Sequence, residues 1–205
     1  MFRRYSIAIA AVATLLATGS AQGQKLVRQE SIKSVPSPVL LETTGMFQDK
    51  YAKVGDDFFI AGQPTEKALR EMKAQGVTTI VNLRSPSEME RIGFDESKLI
   101  TDLGMKYVYL PVRGDAQFPY TPETLAKFTE TMRSAEGKVL LHCTVAWRAS
   151  HLWGAYLIQQ GVPVADALTH ARAINLMDDH RMDASGRQPI ELFLGRSVPG
   201  VGKPK

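Results

Sequence analysis

The amino-acid sequence predicts a single α/β domain in which helices flank a central, mostly parallel sheet. The chain has 205 residues, of which 44% are hydrophobic and 22% are charged, so it suits one domain with an ordinary core. Short apolar or β-branched runs at residues 77–83, 105–112 and 138–141 alternate with segments of helical periodicity. This alternation is typical of strands connected by helices that cover both faces of a sheet.

The first predicted elements are a hairpin, a helix and a buried strand. Residues 51–61 read as two short strands around a Gly-Asp-Asp turn. Thr65 is the predicted N-cap of the helix and Gly76 ends it. The apolar stripe of this helix comprises Ala68, Leu69 and Met72. The β-branched run at residues 77–83 then predicts a parallel strand that is buried on both faces.

The remaining elements continue the alternation. A turn at residues 85–87 leads into a polar segment, and the pair Thr121 and Pro122 predicts the start of a later helix. The expected helices cover residues 96–103, 122–132, 149–160 and 164–176, and the expected strands cover residues 105–112 and 138–141. The predicted domain therefore spans residues 51–177.

The N-terminus has the pattern of an export signal. Arg3 and Arg4 precede an apolar stretch at residues 7–18, which a Gly-Ser-Ala sequence follows. A charged start, a short apolar run and small residues are typical of a signal peptide, here over residues 1–23, with a short membrane anchor as the alternative. A cleaved signal implies a periplasmic or secreted protein without stable membrane association.

The segments on either side of the domain are predicted to be peripheral. Residues 24–50 are expected to form a linker or N-terminal arm, and residues 178–205 a C-terminal tail with a short helix at residues 190–194.

The net charge of the chain is small once the signal segment is set aside. Arg3 and Arg4 account for two of the 25 basic residues, which leaves 23 against 21 acidic ones. No stripe of basic and aromatic residues accompanies this balance, so no nucleic-acid partner is expected.

The chemistry of the chain is expected in the cysteine loop, residues 142–148. This loop follows the predicted strand at residues 138–141, precedes a predicted helix, and contains Cys143, the only cysteine in the sequence. A helix N-terminus offers unpaired N–H groups and a partial positive charge. Together with Arg148, five residues after the cysteine, it favours a reactive thiolate and an anion-binding site. A buried structural thiol is the alternative for Cys143.

The cysteine loop reads His-Cys-x4-Arg and resembles the His-Cys-x5-Arg signature of cysteine-dependent protein tyrosine and dual-specificity phosphatases, with one residue fewer. The shorter loop is similar to the phosphatase-like domain of bacterial beta-lactamase hydrolase-like fusion proteins. Members of that group also carry the motifs Gly-Gln-Pro-Thr, here at residues 62–65, and Asn-Leu-Arg, here at residues 82–84. The resemblance covers roughly residues 54–176 and implies a dual-specificity-phosphatase-like fold.

The resemblance also implies roles for individual residues in hydrolysis of a phosphorylated substrate through a phosphocysteine. Cys143 would be the nucleophile, Arg148 would bind the phosphate, and Asp115, 28 residues before the cysteine, would be the general acid. Phosphate contacts are further expected from Thr144, Val145, Ala146, Trp147 and Arg84. Asp115 is also typical of a turn, and Asp95 and Asp102 are weaker candidates. Neither a metal nor an organic cofactor is expected.

Supporting roles are expected for three further residues, His142, Gln63 and Ser150. His142 reads as a buried, hydrogen-bonded side chain that orients the loop, and Gln63 as a side-chain brace of the loop. For Arg148 a structural pair with a carboxylate is the alternative, and for Arg84 it is a surface ion pair.

Two residues of the cysteine loop depart from the phosphatase pattern. Ala146 replaces a common glycine, and a left-handed backbone there would cost alanine on the order of 1 kcal/mol. Trp147 would either form a rim against an aromatic or sugar group, or pack the loop onto the domain.

Two other functions follow from these features. The short loop is also found in rhodanese-like sulfurtransferases, which carry a cysteine persulfide. Ala146 and Trp147 instead favour an inactive phosphatase-like binding module. The class of substrate stays open on the sequence alone.

Overall fold

The computed structural model describes residues 35–177, 183 and 185–201. Six strands form one mixed sheet, and they are β1 (Val39–Leu40), β2 (Tyr51–Val54), β3 (Phe58–Ala61), β4 (Val77–Asn82), β5 (Lys106–Tyr109) and β6 (Lys138–His142). Their order across the sheet is β1-β2-β3-β6-β4-β5. The β1–β2 and β2–β3 pairs are antiparallel, whereas β3–β6, β6–β4 and β4–β5 are parallel. The predicted mostly parallel sheet is confirmed.

Helices cover both faces of this sheet. They are α1 (Glu66–Ala74), α2 (Pro86–Met89), α3 (Glu96–Asp102), α4 (Pro122–Ser134), α5 (Trp147–Gln159), α6 (Val164–Ile174) and α7 (Pro189–Leu194). Side chains of β6 alternate between two cores, with Leu140 packed among residues of α1 and α3, and Val139 and Leu141 among residues of α4 to α7. This alternation follows from the two-residue period of a strand.

Most predicted elements lie where the sequence places them. The predicted hairpin is β2 and β3, and the Thr65 hydroxyl caps α1 by accepting from the Ala68 N–H at 3.2 Å. Two differences concern the site. The predicted turn at residues 85–87 continues into the one-turn helix α2, and α5 begins at Trp147, two residues before its predicted start.

The domain extends beyond the predicted bounds of residues 51–177. In the segment predicted as an arm, β1 pairs with β2 and the Phe47 side chain is buried. In the segment predicted as a tail, α7 places Ile190 and Phe193 in the core. The short predicted helix at residues 190–194 is thus confirmed, but it is an integral part of the domain.

The predicted signal segment, residues 1–23, lies outside the described residues, so export stays a prediction from the sequence. Within residues 35–177, 183 and 185–201, no helix is both long and apolar enough to cross a membrane.

Candidate active site

The cysteine loop joins a central strand of the sheet to a helix that is buried along most of its length. β6 lies between β3 and β4 and is parallel to both. The loop therefore emerges at the carboxyl edge of the parallel strands, where open α/β folds bind ligands. Cys143 is a free, fully buried thiol, and its backbone N–H donates to the Ala61 carbonyl at 3.3 Å.

The backbone of the loop has the form of an anion cradle. Ala146 has a φ of 63° and a ψ of −4°, so this position does adopt the left-handed conformation that favours glycine. In the described part of the chain, the N–H groups of Thr144 and Val145 donate to no backbone carbonyl, and Val145 lies opposite Gly62 in an isolated antiparallel bridge. Unpaired N–H groups before a helix attract anions. The loop is thus suited to hold a phosphate group.

The Gly-Gln-Pro-Thr motif braces the loop through its backbone. The Gln63 N–H donates to the Thr144 carbonyl at 2.9 Å. A Cβ on Gly62 would lie 2.8 Å from the same oxygen and 1.7 Å from the carbonyl oxygen of Gln48, so no larger residue fits. The Gln63 side chain donates to Glu96 instead, at 2.6 Å. This corrects the expectation that the side chain braces the loop directly.

Residues of α5 and the C-terminal end of α6 support the cysteine loop. The Ser150 hydroxyl donates to the Trp147 carbonyl at 2.7 Å, so its support goes to the first turn of α5. The Trp147 side chain is buried and packs edge-on against His151, which confirms the packing alternative and argues against a rim. Asn175, at the end of α6, donates to the Val145 carbonyl at 2.5 Å.

Arg148 is held in a fork-to-fork ion pair with Glu88, the carboxylate alternative that the sequence left open. The Arg148 Nη2 lies 2.6 Å from one carboxylate oxygen of Glu88, and Nη1 lies 2.9 Å from the other. Nη1 also donates to the Val112 carbonyl at 2.7 Å, and Nη2 to the Thr144 hydroxyl at 3.0 Å. The guanidinium is therefore fixed beside the cradle, and its carboxylate partner occupies the face that matches an oxyanion.

The charges of this pair are strongly stabilised. Burial disfavours the charged form of Arg148, but the nearby charges of Cys143 and Glu88 outweigh it and raise the pKa of Arg148. Burial likewise acts to raise the pKa of Glu88, but hydrogen bonds from Arg148 and Thr144 hold that pKa far below its usual range. Both groups are charged at neutral pH.

Glu88 is a residue that the sequence analysis missed. It lies on α2, whose start is a capping box in which the Ser85 hydroxyl and N–H both donate to the Glu88 carboxylate, at 2.9 and 2.8 Å. A serine followed three residues later by glutamate is a known signal of such a helix start. That signal predicts the helix, but the ion pair with Arg148 joins residues 60 apart in sequence.

A second carboxylate, Glu96, lies behind the loop in a closed network. Its oxygens accept from Gln63 at 2.6 Å and from Asn82 at 2.8 Å, and they lie 3.1 Å from the His142 Nε2. Burial acts to raise the pKa of Glu96, but His142 and these hydrogen bonds lower it overall. His142 is thus buried and within hydrogen-bond distance of a carboxylate, and Glu96 is the partner that the sequence did not reveal.

Arg84 lies between these two networks. It is buried rather than on the surface, and its guanidinium donates to the Gln63 side chain and to the Glu88 carbonyl. The surface ion pair considered for Arg84 is therefore wrong. Its Nε has no hydrogen-bond partner among the described residues.

A cavity of about 360 Å³ opens beside the loop. We call it the arginine cavity, because its lining comprises Arg84, Glu88, Arg91, Arg113, Tyr120, Thr144 and Arg148. Four cations and one carboxylate in one concave surface favour an anionic ligand. In the described ranges, no group of three or more histidine, cysteine or acidic side chains is arranged to hold a metal ion.

Asp115 lies at the border of this cavity without lining it. Its Oδ1 accepts from the N–H groups of Gln117 and Phe118, at 3.1 and 2.9 Å, and its Oδ2 lies 3.5 Å from the Arg113 Nε. These bonds match the turn alternative, and the exposed carboxylate is one side chain away from the cavity wall. The other candidates are structural, because Asp95 caps α3 and Asp102 pairs with Lys98.

Sequence comparison identifies relatives of this arrangement. A family model described as the phosphatase-like domain of beta-lactamase hydrolase-like protein matches residues 50–161. The chain is 30% identical over 106 residues to a beta-lactamase hydrolase-like protein of Agrobacterium fabrum, covering 51% of this chain and 24% of that protein. The match to its counterpart from Xylella fastidiosa is 28% over 132 residues, or 62% and 30% of the two chains. The chain thus spans less than a third of the length of either relative.

Structural comparison finds the same class of fold. PTPMT1 superposes with a TM-score of 0.55 at 18% identity, covering 71% of this chain and 92% of that one. P. aeruginosa TpbA, in its complex with pTyr, has a TM-score of 0.52 at 14% identity, covering 68% and 80%. At these identities the likeness concerns the fold, and it confirms the fold that the cysteine loop implied.

Proposed function

The chain belongs to the family of beta-lactamase hydrolase-like protein, phosphatase-like domains, and on that premise we propose that it hydrolyses phosphate monoesters through a phosphocysteine intermediate. The observation that carries the proposal is the joint position of Cys143, the unpaired N–H groups of Thr144 and Val145, and Arg148 beside a cavity lined by four arginines. This arrangement supplies a nucleophile, a cradle for phosphate oxygens and positive charge at one point.

In the proposed first step, the Cys143 sulfur attacks phosphorus as a thiolate. An S–P bond forms, the bond from phosphorus to the leaving oxygen breaks, and that oxygen takes a proton from Asp115. In the second step, Asp115 removes a proton from water, whose oxygen attacks phosphorus. Inorganic phosphate leaves and the thiolate is restored. Splitting the reaction in this way replaces one difficult displacement by two easier ones.

Arg148 and the amides of residues 144–148 stabilise the phosphoryl oxygens as charge builds on them. Because the guanidinium fork already holds Glu88, the substrate has to share or replace that carboxylate. The bonds from Arg148 to Val112 and Leu83, at 2.7 and 3.3 Å, do not involve Glu88. They keep the guanidinium near the cradle while the phosphate binds.

The position of Asp115 supports its role as acid less directly. Its carboxylate belongs to a turn, but the ion pair with Arg113 brings it next to a residue that lines the cavity. In the proposed role, the exposed loop rearranges so that the Asp115 carboxylate reaches the leaving oxygen. Apo enzymes often hold catalytic groups in longer or misaligned contacts than the reacting complex does.

The proposal is tested by steady-state kinetics of the purified chain with p-nitrophenyl phosphate and with alkyl phosphates. We expect Cys143→Ser to abolish turnover of both. Asp115→Asn should lower the rate with alkyl phosphates by about 10²- to 10⁴-fold and should affect p-nitrophenyl phosphate much less, because nitrophenolate leaves without a proton. Asp102→Asn, an exposed carboxylate of α3, is the matched control and should change neither rate.

Turnover of thiosulfate with cyanide but of no phosphate ester would overturn the proposal in favour of the sulfurtransferase alternative. Absence of turnover with all substrates would favour a binding module. If Asp115→Asn lowers both phosphate activities equally or leaves alkyl phosphates unaffected, Asp115 is not the acid.

A further inference from the structure

The arginine cavity holds more positive charge than one phosphate group requires. Arg148 is paired with Glu88 and Arg113 with Asp115. In the described ranges, the remaining two arginines form no ion pair with a carboxylate. The Arg84 side chain donates to the Gln63 side chain and to the Glu88 carbonyl, and the Arg91 side chain donates to the Ser87 carbonyl at 2.9 Å. Neither cation is therefore neutralised by a direct ion pair, although the charges of Glu88 and Glu96 act on Arg84 from farther away.

Arg84 and Arg91 also connect the arginine cavity to a larger groove. This groove, of about 600 Å³, shares both arginines with the cavity. It is also lined by Phe47 and Phe94 and by the charged residues Glu66 and Lys67. We call it the aromatic groove because the rings of Phe47 and Phe94 contribute to it. A molecule bound in both spaces would pass directly over the two unpaired cations.

The state of Arg84 gives independent support. Only 7% of Arg84 is exposed, and its Nε has no partner among the described residues. A buried donor without an acceptor is costly, and burial also lowers the pKa of this arginine. An anion bound at the junction of cavity and groove would satisfy the charge and the free donor together.

We propose that the substrate is a small molecule with two phosphate groups, and this inference rests on the proposed phosphatase function. One phosphate lies in the cradle over Cys143 and is cleaved. The second lies on Arg84 and Arg91, and the carbon skeleton extends into the aromatic groove. Planar guanidinium groups bind two oxygens of a phosphate at once, so the second phosphate fixes the orientation of the substrate.

The test compares substrates that differ by one phosphate. Adenosine 3′,5′-bisphosphate is compared with adenosine 5′-monophosphate, and fructose 1,6-bisphosphate with fructose 6-phosphate. The first pair tests a nucleotide as the substrate, and the second pair tests a sugar phosphate. We expect kcat/KM for the bisphosphate of at least one pair to exceed that for its monophosphate about tenfold or more. Raising the salt concentration should reduce this ratio.

Arg91→Gln is the informative variant because it removes one of the two unpaired charges and leaves the cysteine loop intact. It should lower the ratio of kcat/KM between bisphosphate and monophosphate to near one. Arg133→Gln removes an exposed charge near the end of α4, away from both cavities. This control should leave the ratio unchanged.

The outcomes distinguish this inference from the proposed function. If the monophosphates are cleaved but neither bisphosphate is preferred, or if Arg91→Gln leaves the ratio unchanged, the inference is wrong and the phosphatase function stands. A phosphotyrosine peptide cleaved better than every bisphosphate would also overturn it. If no ester is cleaved, the function fails, and calorimetry with the same four compounds decides whether the second phosphate still strengthens binding. Equal affinities within each pair would then overturn the inference too.

Discussion

Two glutamates, Glu88 and Glu96, support the cysteine loop from opposite sides, and their surroundings differ. The Glu88 side chain is 18% exposed, faces the arginine cavity and holds the cation Arg148. The Glu96 side chain is fully buried behind the loop and is held by two side-chain amides and His142. One carboxylate thus positions a charge in the site, and the other joins pieces of the scaffold.

The difference follows from what each side of the loop must do. Glu96 joins Gln63, the end of β4 at Asn82 and the end of β6 at His142, so it fixes the backbone on which the site is built. The hydrogen bonds of Glu96 are buried behind the loop, so a ligand bound in the arginine cavity does not replace them. Glu88 accepts bonds from groups that a phosphate would also use. A network that faces a ligand is replaceable by it, whereas a network behind the site must be complete without one.

The largest expected effect on folding is that of Glu96→Ala. It leaves the donors of Gln63 and Asn82 buried without their acceptor, and removing one member of a buried ionic network typically costs 3–5 kcal/mol. Glu88→Ala should cost less, about 1–3 kcal/mol, because water can reach the partly exposed partner groups. Urea unfolding at neutral pH measures both.

The activity of the same variants should show the opposite order. Per folded molecule, Glu88→Ala should lower kcat/KM for p-nitrophenyl phosphate more than Glu96→Ala does, because Glu88 also fixes the cradle residue Thr144, whose hydroxyl donates to its carboxylate at 2.7 Å. Asp102→Ala, on the same helix as Glu96 but exposed, is the control and should stay within about 0.5 kcal/mol of the wild-type stability. A larger stability loss for Glu88→Ala than for Glu96→Ala would refute the comparison.

The two networks also show what the sequence could predict. The strand ends, the cysteine loop and its following helix are local patterns, so the positions of Cys143 and Arg148 in the loop and the burial of His142 could be predicted. Glu88 and Glu96 act through contacts with residues 60 and 46 positions away. No period or motif within one element encodes such a contact. The short helix α2 was also missed, because one turn is too short to show an apolar stripe, although the spacing of Ser85 and Glu88 signals its start.

The ends of the domain were underestimated for a similar reason. The ring of Phe193, on α7, packs edge-on against Tyr120 at the arginine cavity, with centroids 5.3 Å apart. A two-residue strand and a six-residue helix are too short to give a clear periodicity. Their inclusion depends on tertiary packing.

A third ionisable side chain, His151, differs from Glu88 and Glu96 because its ring has no hydrogen-bond partner in the described ranges. It lies on α5 and is fully buried. Burial lowers its pKa to about 3, so the folded protein keeps it neutral. In the unfolded chain it protonates below about pH 6.5. Between these values the unfolded state binds more protons, so stability falls as the pH falls, by about 1.4 kcal/mol per pH unit.

Replacing His151 by phenylalanine should remove this dependence. Urea unfolding at pH 7.5 and pH 5.0 should show that the wild type loses about 2 kcal/mol more than His151→Phe over this interval. Glu88 and Glu96 do not interfere, because their lowered pKa values give losses only below about pH 4.5. Equal losses in the two proteins would mean that His151 is protonated, or accessible to water, in the fold.

The smallest expected effect concerns the backbone of the cradle itself, at Ala146. Its φ of 63° costs a residue with a Cβ about 1–2 kcal/mol, whereas glycine pays about 0.4–1 kcal/mol in unfolded-chain entropy. Ala146→Gly should therefore raise the free energy of unfolding by about 0.5–1 kcal/mol. Ala149→Gly, three residues later in the helical part of α5, should lower it by about 1 kcal/mol. Urea unfolding measures both changes. A gain in the free energy of unfolding for Ala146→Gly and a loss for Ala149→Gly would locate the backbone strain at position 146 of the loop. A loss of stability in both variants would show that the surrounding braces, rather than the φ angle, decide the residue at position 146.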